Sequence, residues 1–158
     1  CAIQNPALYD SLIYMSPGLE VNVHPSSKEK LLIALGAFTP FSFNVQSPIR
    51  DDKMFTSDKK KMYFLYTDKL RTYSPRPRDY YQSMKLDQFV KKNLYKQTTP
   101  SLVLLAGKDR VVNNHKTKKI LAKFASLAKI IEYPQSEHVI FFGNSKNQMI
   151  TDIQNFIL

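Results

Sequence analysis

Two apolar runs near the end of the chain are each followed by a residue type that takes part in proton transfer. The run at residues 102–106 precedes Asp109, and the run at residues 130–133 precedes His138. In an open α/β sheet, reactive side chains lie just outside the carboxyl ends of the strands. A carboxylate there can orient a neighbouring imidazole and leave its second ring nitrogen free to accept a proton. The pair therefore predicts a general base and its orienting acid.

A nucleophile for this couple has no recognisable setting in the chain. Cys1 has no supporting turn, and Ser136 is a loop residue. Ser16 follows an apolar run, but Pro17 comes next and no helix opens there. A nucleophilic serine needs a tight strand-to-helix turn. None of the three is predicted to act as the nucleophile.

The remaining chemical side chains have simpler interpretations. His24 and His115 do not follow a strand, so we interpret both as structural or exposed, and Glu137 as solvated. The three histidines and the single cysteine lack the spacing of metal ligands, and no metal is predicted.

The elements that position Asp109 and His138 alternate between strand and helix. The predicted strands cover residues 12–16, 102–106 and 129–133, and the predicted helices cover residues 83–94 and 114–127 and a C-terminal segment capped by Asn144 or Ser145. A further helix begins after Ser26, because Ser26 and Glu29 form a capping-box pattern. Strands that alternate with helices favour an α/β fold with a parallel sheet and crossover helices.

Apolar residues at helical spacing predict one face of each helix. In chain order, the four sets are Leu31, Leu32, Leu35 and Phe38; Leu86, Phe89, Val90 and Leu94; Ile120, Leu121, Phe124 and Leu127; and Met149, Ile150, Ile153, Phe156 and Ile157. The last two sets are expected to face the core. Residues 49–78 show little periodicity, and residues 73–78 are expected to be largely extended because residues before proline avoid the helical region.

The composition is that of one globular domain. The chain has 158 residues, of which 43% are hydrophobic and 23% are charged. No apolar run approaches the roughly 18–20 residues that span a bilayer, and a single cysteine allows no internal disulfide. We expect a cytoplasmic protein. The net charge of +10 predicts attraction to an anionic partner without saying which.

The order of these segments resembles the C-terminal half of an α/β-hydrolase, and more narrowly the monoacylglycerol lipase/lysophospholipase group of S33-type serine hydrolases. Residues 10–17 resemble the strand before the lid, and residues 22–97 resemble the helical cap. Residues 99–112 resemble the family's acid strand and loop, and they include the Gly-x-Asp-x-hydrophobic run Gly107-Lys108-Asp109-Arg110-Val111. Residues 133–138 resemble the segment that carries the catalytic histidine.

The resemblance implies a hydrolase core at residues 1–21 and 98–158 with a cap or lid at 22–97. It implies a serine hydrolase of a lipid-like acyl ester, with Asp109 as catalytic acid and His138 as base, and with no metal or organic cofactor. The same couple would also serve a thioesterase or an acyltransferase. The residues expected to line the acyl pocket are Pro17, Val111 and Val139.

The family's nucleophile sits in a Gly-x-Ser-x-Gly elbow ahead of these segments. The sequence has no such pattern. We therefore expect this chain to be the C-terminal part of a longer protein, whose missing N-terminal half is its partner. Alone, the chain is expected to be inactive.

A basic stretch in the predicted cap leaves a second class of function open. Lys59, Lys60 and Lys61 and the arginines of 71–78 lie among several tyrosines. Such a pattern can be a solvated face, can bind single-stranded nucleic acid, or can contact an anionic membrane surface. The resemblance favours peripheral membrane contact and no nucleic acid. The alternative function is a non-catalytic basic module that binds nucleic acid or a membrane surface.

Overall fold

Among the residues that the structure describes, three parallel strands form one sheet. The structure is a computed structural model that describes residues 2–39, 43–49, 51–124 and 128–158. The strands are β1 (Leu12–Met15), β2 (Ser101–Ala106) and β3 (Ala128–Tyr133), and their order in the sheet is β1-β2-β3. Leu12 of β1 pairs with Ser101 of β2, and Ser101 pairs with Ala128 of β3. The predicted parallel α/β sheet is confirmed.

In the described part of the chain, five α-helices connect or follow the strands. Between β1 and β2 lie α1 (Ser27–Gly36), α2 (Lys59–Thr67) and α3 (Pro77–Asn93); α4 (Asn114–Phe124) connects β2 to β3, and α5 (Lys146–Ile157) follows β3. Short 3₁₀ helices occur at Pro6–Leu8, Asp52–Met54, Leu94–Lys96 and Ile140–Phe142. The crossover helix α4 is what allows β2 and β3 to run parallel.

Strand β2 is the centre of the core, and all six of its residues are buried. On one face, Leu102, Leu104 and Ala106 pack with Tyr133, Ile140 and Met149. On the other face, Val103 and Leu105 pack with Leu121 of α4. A strand that is covered on both faces reads as a continuous apolar run, which is why β2 was recognisable in the sequence.

Strand β1 is less well covered. Ile13 and Met15 are exposed, although the register places them beside the buried Leu102 and Leu104. In the described part of the chain, β1 pairs only with β2. One edge of β1 and one of its apolar faces are therefore open.

The segment between β1 and β2 is helical, and α1 packs against α3. The predicted capping box is confirmed: Ser26 accepts from the Glu29 N–H while Glu29 accepts from the Ser26 N–H. Close packing is possible because residue 36 is glycine. A Cβ there would lie 2.3 Å from Phe43 and 2.6 Å from Pro77. The exact cap limits at 22–97 stay a prediction.

Two helices in this segment differ from the sequence prediction, one in where it begins and one in having been missed. The third helix begins at Pro77, not at 83, because proline suits the first helical turn and the Asp79 carboxylate accepts from the Arg76 N–H. The extended conformation predicted before it holds only as far as Arg76. Helix α2 was not predicted at all. Its start is capped by Asp58, which accepts from two N–H groups of the first turn.

Several predicted helix faces are only partly buried. On α5, Met149 is buried and Ile153 and Phe156 pack against the core, but Ile150 and Ile157 are exposed, contrary to the prediction. Likewise exposed are Leu31, Leu32, Leu35, Phe38 and Leu86. Helical spacing identifies an apolar face without showing whether another element covers it. The side chain of Phe124, and Leu127 altogether, lie outside the described residues.

Candidate active site

Asp109 and His138 come together at the carboxyl ends of β2 and β3. The Asp109 loop starts directly after Ala106, and the His138 loop starts directly after Tyr133. The register pairs Ala106 with Tyr133, so the two loops leave the sheet side by side. Their meeting is therefore a consequence of strand pairing.

The Asp109 carboxylate is buried and aimed by the backbone that follows it. Its side chain is only 1% exposed. Oδ1 accepts hydrogen bonds from the N–H groups of Val111 and Val112, each at 2.8 Å. Val111 in turn accepts from the Asn22 N–H at 2.7 Å, which ties the acid loop to the chain after β1. The N–H groups of Val111 and Val112 therefore orient the Asp109 carboxylate independently of its contact with His138.

His138 faces this carboxylate through Nδ1. The distance is 2.9 Å to Oδ2 of Asp109 and 3.1 Å to Oδ1. A carboxylate can only accept, so Nδ1 is the donor and a neutral imidazole keeps its proton there. Nε2 is then the nitrogen able to accept a proton. The His138 side chain is 19% exposed, so the ring is accessible from outside.

Backbone contacts hold the two loops against each other. The Gly107 N–H donates to the Tyr133 carbonyl at 2.8 Å, and the Lys108 N–H donates to the Ser136 carbonyl at 2.8 Å. Gly107 is required by this close approach, since a Cβ would lie 2.6 Å from the backbone of Pro134. The glycine two positions before Asp109 thus has a steric reason.

A part of the predicted cap covers the histidine loop. The Phe55 ring lies 5.6 Å from the His138 ring, centroid to centroid, and the Phe55 carbonyl accepts from the Val139 N–H at 3.2 Å. The guanidinium of Arg71 lies 5.7 Å from the Phe55 ring and is ion-paired with Asp52. Phe55 was not predicted as a site residue, because only the tertiary contact brings it to the histidine.

The three predicted pocket residues occupy different places. Pro17 lines an apolar cavity of about 310 Å³, together with Leu12, Tyr14, Leu94, Val103 and Leu121. Val139 lines a polar cavity of about 280 Å³ that includes Lys108 and Glu137. Val111 is 4% exposed and supports Asp109 by its N–H. Their roles in substrate binding stay predictions.

The other reactive side chains named from the sequence, where the structure describes them, are exposed or bind groups other than Asp109 and His138. His24 and His115 are exposed. Glu137 accepts a hydrogen bond from the Ser57 N–H in the cap, so it is not simply solvated. Ser136 is buried and bonds to Ser145 at 2.8 Å. Cys1 lies outside the described residues.

Ser16 makes a contact with the histidine loop that the sequence did not predict. Its Oγ donates a hydrogen bond of 2.8 Å to the backbone carbonyl of His138. The sequence offered only a serine between an apolar run and a proline, which carries no information about this contact.

Together, Asp109 and His138 can transfer one proton. Nε2 of His138 accepts and releases the proton, and Asp109 stabilises the positively charged ring in between.

A family described as serine aminopeptidase, S33, matches residues 1–145 of this chain. No curated protein matches the sequence significantly. Among solved structures, the monoacylglycerol lipase of Paleococcus ferrophilus superimposes with a TM-score of 0.79 at 18% identity, over 98% of this chain. A soluble variant of monoglyceride lipase from Saccharomyces cerevisiae, in complex with a substrate analog, gives a TM-score of 0.75 at 18% identity, over 96% of this chain.

A third similar structure comes from the metagenome-derived lipolytic enzymes LipS and LipT, with a TM-score of 0.69 at 17% identity over 99% of this chain. At these identities the likeness shows a shared fold. The chain covers only 60%, 54% and 58% of the three matched chains, respectively. It therefore corresponds to little more than half of each of these structures.

Proposed function

Because the chain belongs to the serine aminopeptidase S33 family and has the α/β-hydrolase fold, we propose that it carries the acid and the base of a serine hydrolase acting on a lipid-like acyl ester. The observation that carries the proposal is the His138–Asp109 contact at the ends of two neighbouring parallel strands. The three similar structures, all lipases or lipolytic enzymes by description, favour an ester over a peptide substrate.

In this mechanism His138 transfers the proton. Nε2 takes the proton of the serine hydroxyl as that oxygen attacks the ester carbonyl, and later gives it to the leaving alcohol. Water then hydrolyses the acyl-enzyme with the same base. Asp109 keeps the imidazole in the tautomer with Nδ1–H and stabilises the imidazolium that forms. Asp109 itself stays ionised throughout.

The serine belongs to a segment outside this sequence in our proposal. A Gly-x-Ser-x-Gly elbow needs two glycines four positions apart, and the four glycines are at positions 18, 36, 107 and 143. The open edge of β1 offers a place where further strands of the same sheet would pair. This chain alone would then be inactive.

We further propose that the surface of α2 contacts anionic membranes, where such an ester would be found. Lys59, Lys60 and Lys61 are exposed in its first turn, and Tyr63 and Tyr66 are exposed beyond them. Cations at a helix N-terminus oppose the helix dipole, so helix stability does not explain these lysines. Attraction to anionic headgroups does.

The test of the hydrolase proposal is fluorophosphonate labelling of the complete native protein, with intact mass recorded on the labelled species. We expect the label on a polypeptide longer than this chain or on a tightly bound partner. Asp109→Asn should slow labelling and ester turnover by about 10⁴-fold, and His138→Ala by about 10⁶-fold, as expected when a triad loses its orienting carboxylate or its base.

The matched control is His115→Ala, which removes an exposed histidine and should leave turnover unchanged. If the native product has only the length of this chain and takes no label, alone or with partners, the proposal is wrong. The alternative of a basic binding module would then gain support.

A further inference from the structure

We infer that Ser16 is a positioning residue for the histidine: its hydroxyl fixes the His138 backbone so that the ring meets Asp109. This inference rests on the proposed function, in which His138 is the base. It concerns a residue outside the acid–histidine pair, directly after the strand that pairs with β2. Ser16 is the first residue after β1, at the carboxyl end of the sheet.

The hydrogen bond from Ser16 goes directly to the residue that carries the base. Oγ donates to the His138 carbonyl oxygen at 2.8 Å, across 122 positions of sequence. Ser16 is 9% exposed, so water has little access to compete for this bond. His138 is thus held at two points, by Asp109 at its ring and by Ser16 at its backbone.

The backbone of Ser16 supports a positioning role as well. Its φ is +43°, and it is the one non-glycine residue with positive φ in the part of the chain that the structure describes. Serine is strained in this region, and glycine would not be. Ser16 N–H donates to the Leu104 carbonyl at 2.8 Å, which extends the β1–β2 ladder by one residue. A serine thus occupies a position where the backbone favours glycine. A glycine there would lack the hydroxyl that bonds to the His138 carbonyl.

The same geometry argues against Ser16 as a nucleophile. A strained serine after a strand is typical of a nucleophile elbow, in which the next residue's N–H helps to form the oxyanion hole. Residue 17 is proline and has no N–H. The Ser16 hydroxyl is also engaged with a backbone carbonyl. In this inference Ser16 therefore acts through its hydrogen bond to the His138 carbonyl and not as a nucleophile.

Two variants separate the hydrogen bond from the backbone strain. Ser16→Ala removes the hydroxyl and keeps the Cβ, whereas Ser16→Gly removes both. We expect Ser16→Gly to have the higher melting temperature of the two, because its backbone is relaxed. We expect both variants, in the complete native protein, to lose kcat by about 10- to 100-fold with KM nearly unchanged, as a misaligned base would cause.

A second readout does not depend on ester turnover. In the native protein, the hydrogen-bonded Nδ1–H proton of His138 should give a downfield ¹H NMR signal, assigned by its absence in His138→Ala. The signal should broaden or disappear in both Ser16 variants. Ser11→Ala, at the other end of the same strand, is the matched control and should retain both the signal and the turnover.

The outcomes distinguish the inference from the proposed function. If the native protein turns over esters and both Ser16 variants keep its kcat and its His138 signal, the inference is wrong and the function stands. If the native protein shows no turnover but the signal is lost in both variants, the positioning role stands and the function is wrong. If only Ser16→Ala loses kcat and the His138 signal while Ser16→Gly keeps both, the cause is backbone strain and not the missing hydrogen bond, and the inference is wrong.

Discussion

At the scale of single residues, the candidate site depends on contacts that orient Asp109 and His138 toward each other. Asp109 Oδ1 accepts from two backbone N–H groups in addition to its contact with His138. An orienting carboxylate held in this way needs no rearrangement during proton transfer, which is the general requirement for a preorganised site. The residues before it are equally constrained, because Gly107 lets the acid loop approach the histidine loop.

Gly107→Ala should therefore damage both stability and catalysis. The added Cβ would lie 2.6 Å from the backbone of Pro134, so one of the two loops must shift. Overpacking of this kind costs about 1–3 kcal/mol of unfolding free energy. We expect that loss in urea unfolding, together with a fall in ester turnover. Gly18→Ala is the control, since its Cβ would meet Val21 at an ordinary 3.7 Å. Equal stability of the two variants would contradict the steric explanation.

At the scale of elements, α5 packs against the sheet through its apolar face and is also hydrogen-bonded to the end of β3. The Tyr133 hydroxyl, at the end of β3, donates to Oδ2 of Asp152 at 2.8 Å. Burial, followed by the neighbouring Asp152 carboxylate, raises the pKa of Tyr133 well above its ordinary value. The fold therefore favours the protonated phenol. This contact lies at the root of the His138 loop.

The raised pKa of Tyr133 predicts a loss of stability at alkaline pH. Unfolded tyrosine loses its proton near pH 10. Above about that pH the unfolded state binds fewer protons than the folded state, so the unfolding free energy falls as pH rises. Tyr133→Phe should cost about 1–3 kcal/mol at pH 7, because the hydrogen bond to Asp152 is lost. It should also lose less stability than the native protein between pH 9 and about pH 11.

Urea unfolding at several pH values measures both effects, and Tyr66→Phe is the control because Tyr66 is exposed. If the pH dependence of Tyr133→Phe runs parallel to that of the native protein, the linkage of Tyr133 to folding is wrong.

At the scale of the whole molecule, positive charge and exposed aromatic groups occur together on one helix, α2. The chain carries a net charge of +10. On α2, the lysines of the first turn lie beside the exposed Tyr63, Phe64 and Tyr66, and Lys61 lies 5.4 Å from the Phe142 ring. No helix in the described ranges is long and apolar enough to cross a bilayer.

The membrane proposal predicts binding to anionic vesicles that depends on α2. Each lysine near an anionic surface contributes on the order of 1 kcal/mol, so replacing Lys59, Lys60 and Lys61 with glutamine should weaken binding about 100-fold. Co-sedimentation with phosphatidylserine-containing and neutral vesicles, at low and high salt, measures this. High salt should weaken the binding because it screens exposed charges.

A control with the same change of net charge replaces three exposed lysines of α4, namely Lys116, Lys119 and Lys123, with glutamine. It should bind nearly as well as the native protein. An equal loss in both triple variants would attribute binding to net charge alone, and tighter binding to single-stranded nucleic acid than to vesicles would favour the basic-module alternative.

The sequence alone was sufficient for the features that depend on neighbouring residues. The apolar runs of β2 and β3, the capping box at Ser26, and the polar residues after each strand are local signals, and all three features occur as predicted. The parallel sheet followed from the alternation of strands and helices. Asp109 and His138 were recognisable as a candidate pair because each lies in the loop that follows its strand.

Only the tertiary structure decided how these pieces meet. The pairing of Ala106 with Tyr133 brings Asp109 to within 2.9 Å of His138, and the contacts of Ser16 and Phe55 with the histidine join segments far apart in sequence. The sequence likewise did not show that the apolar face of α1 is exposed, or where α2 lies. The physical reason is the same in each case: spacing along the chain fixes which side chains share a face, whereas burial and approach depend on which other element packs there.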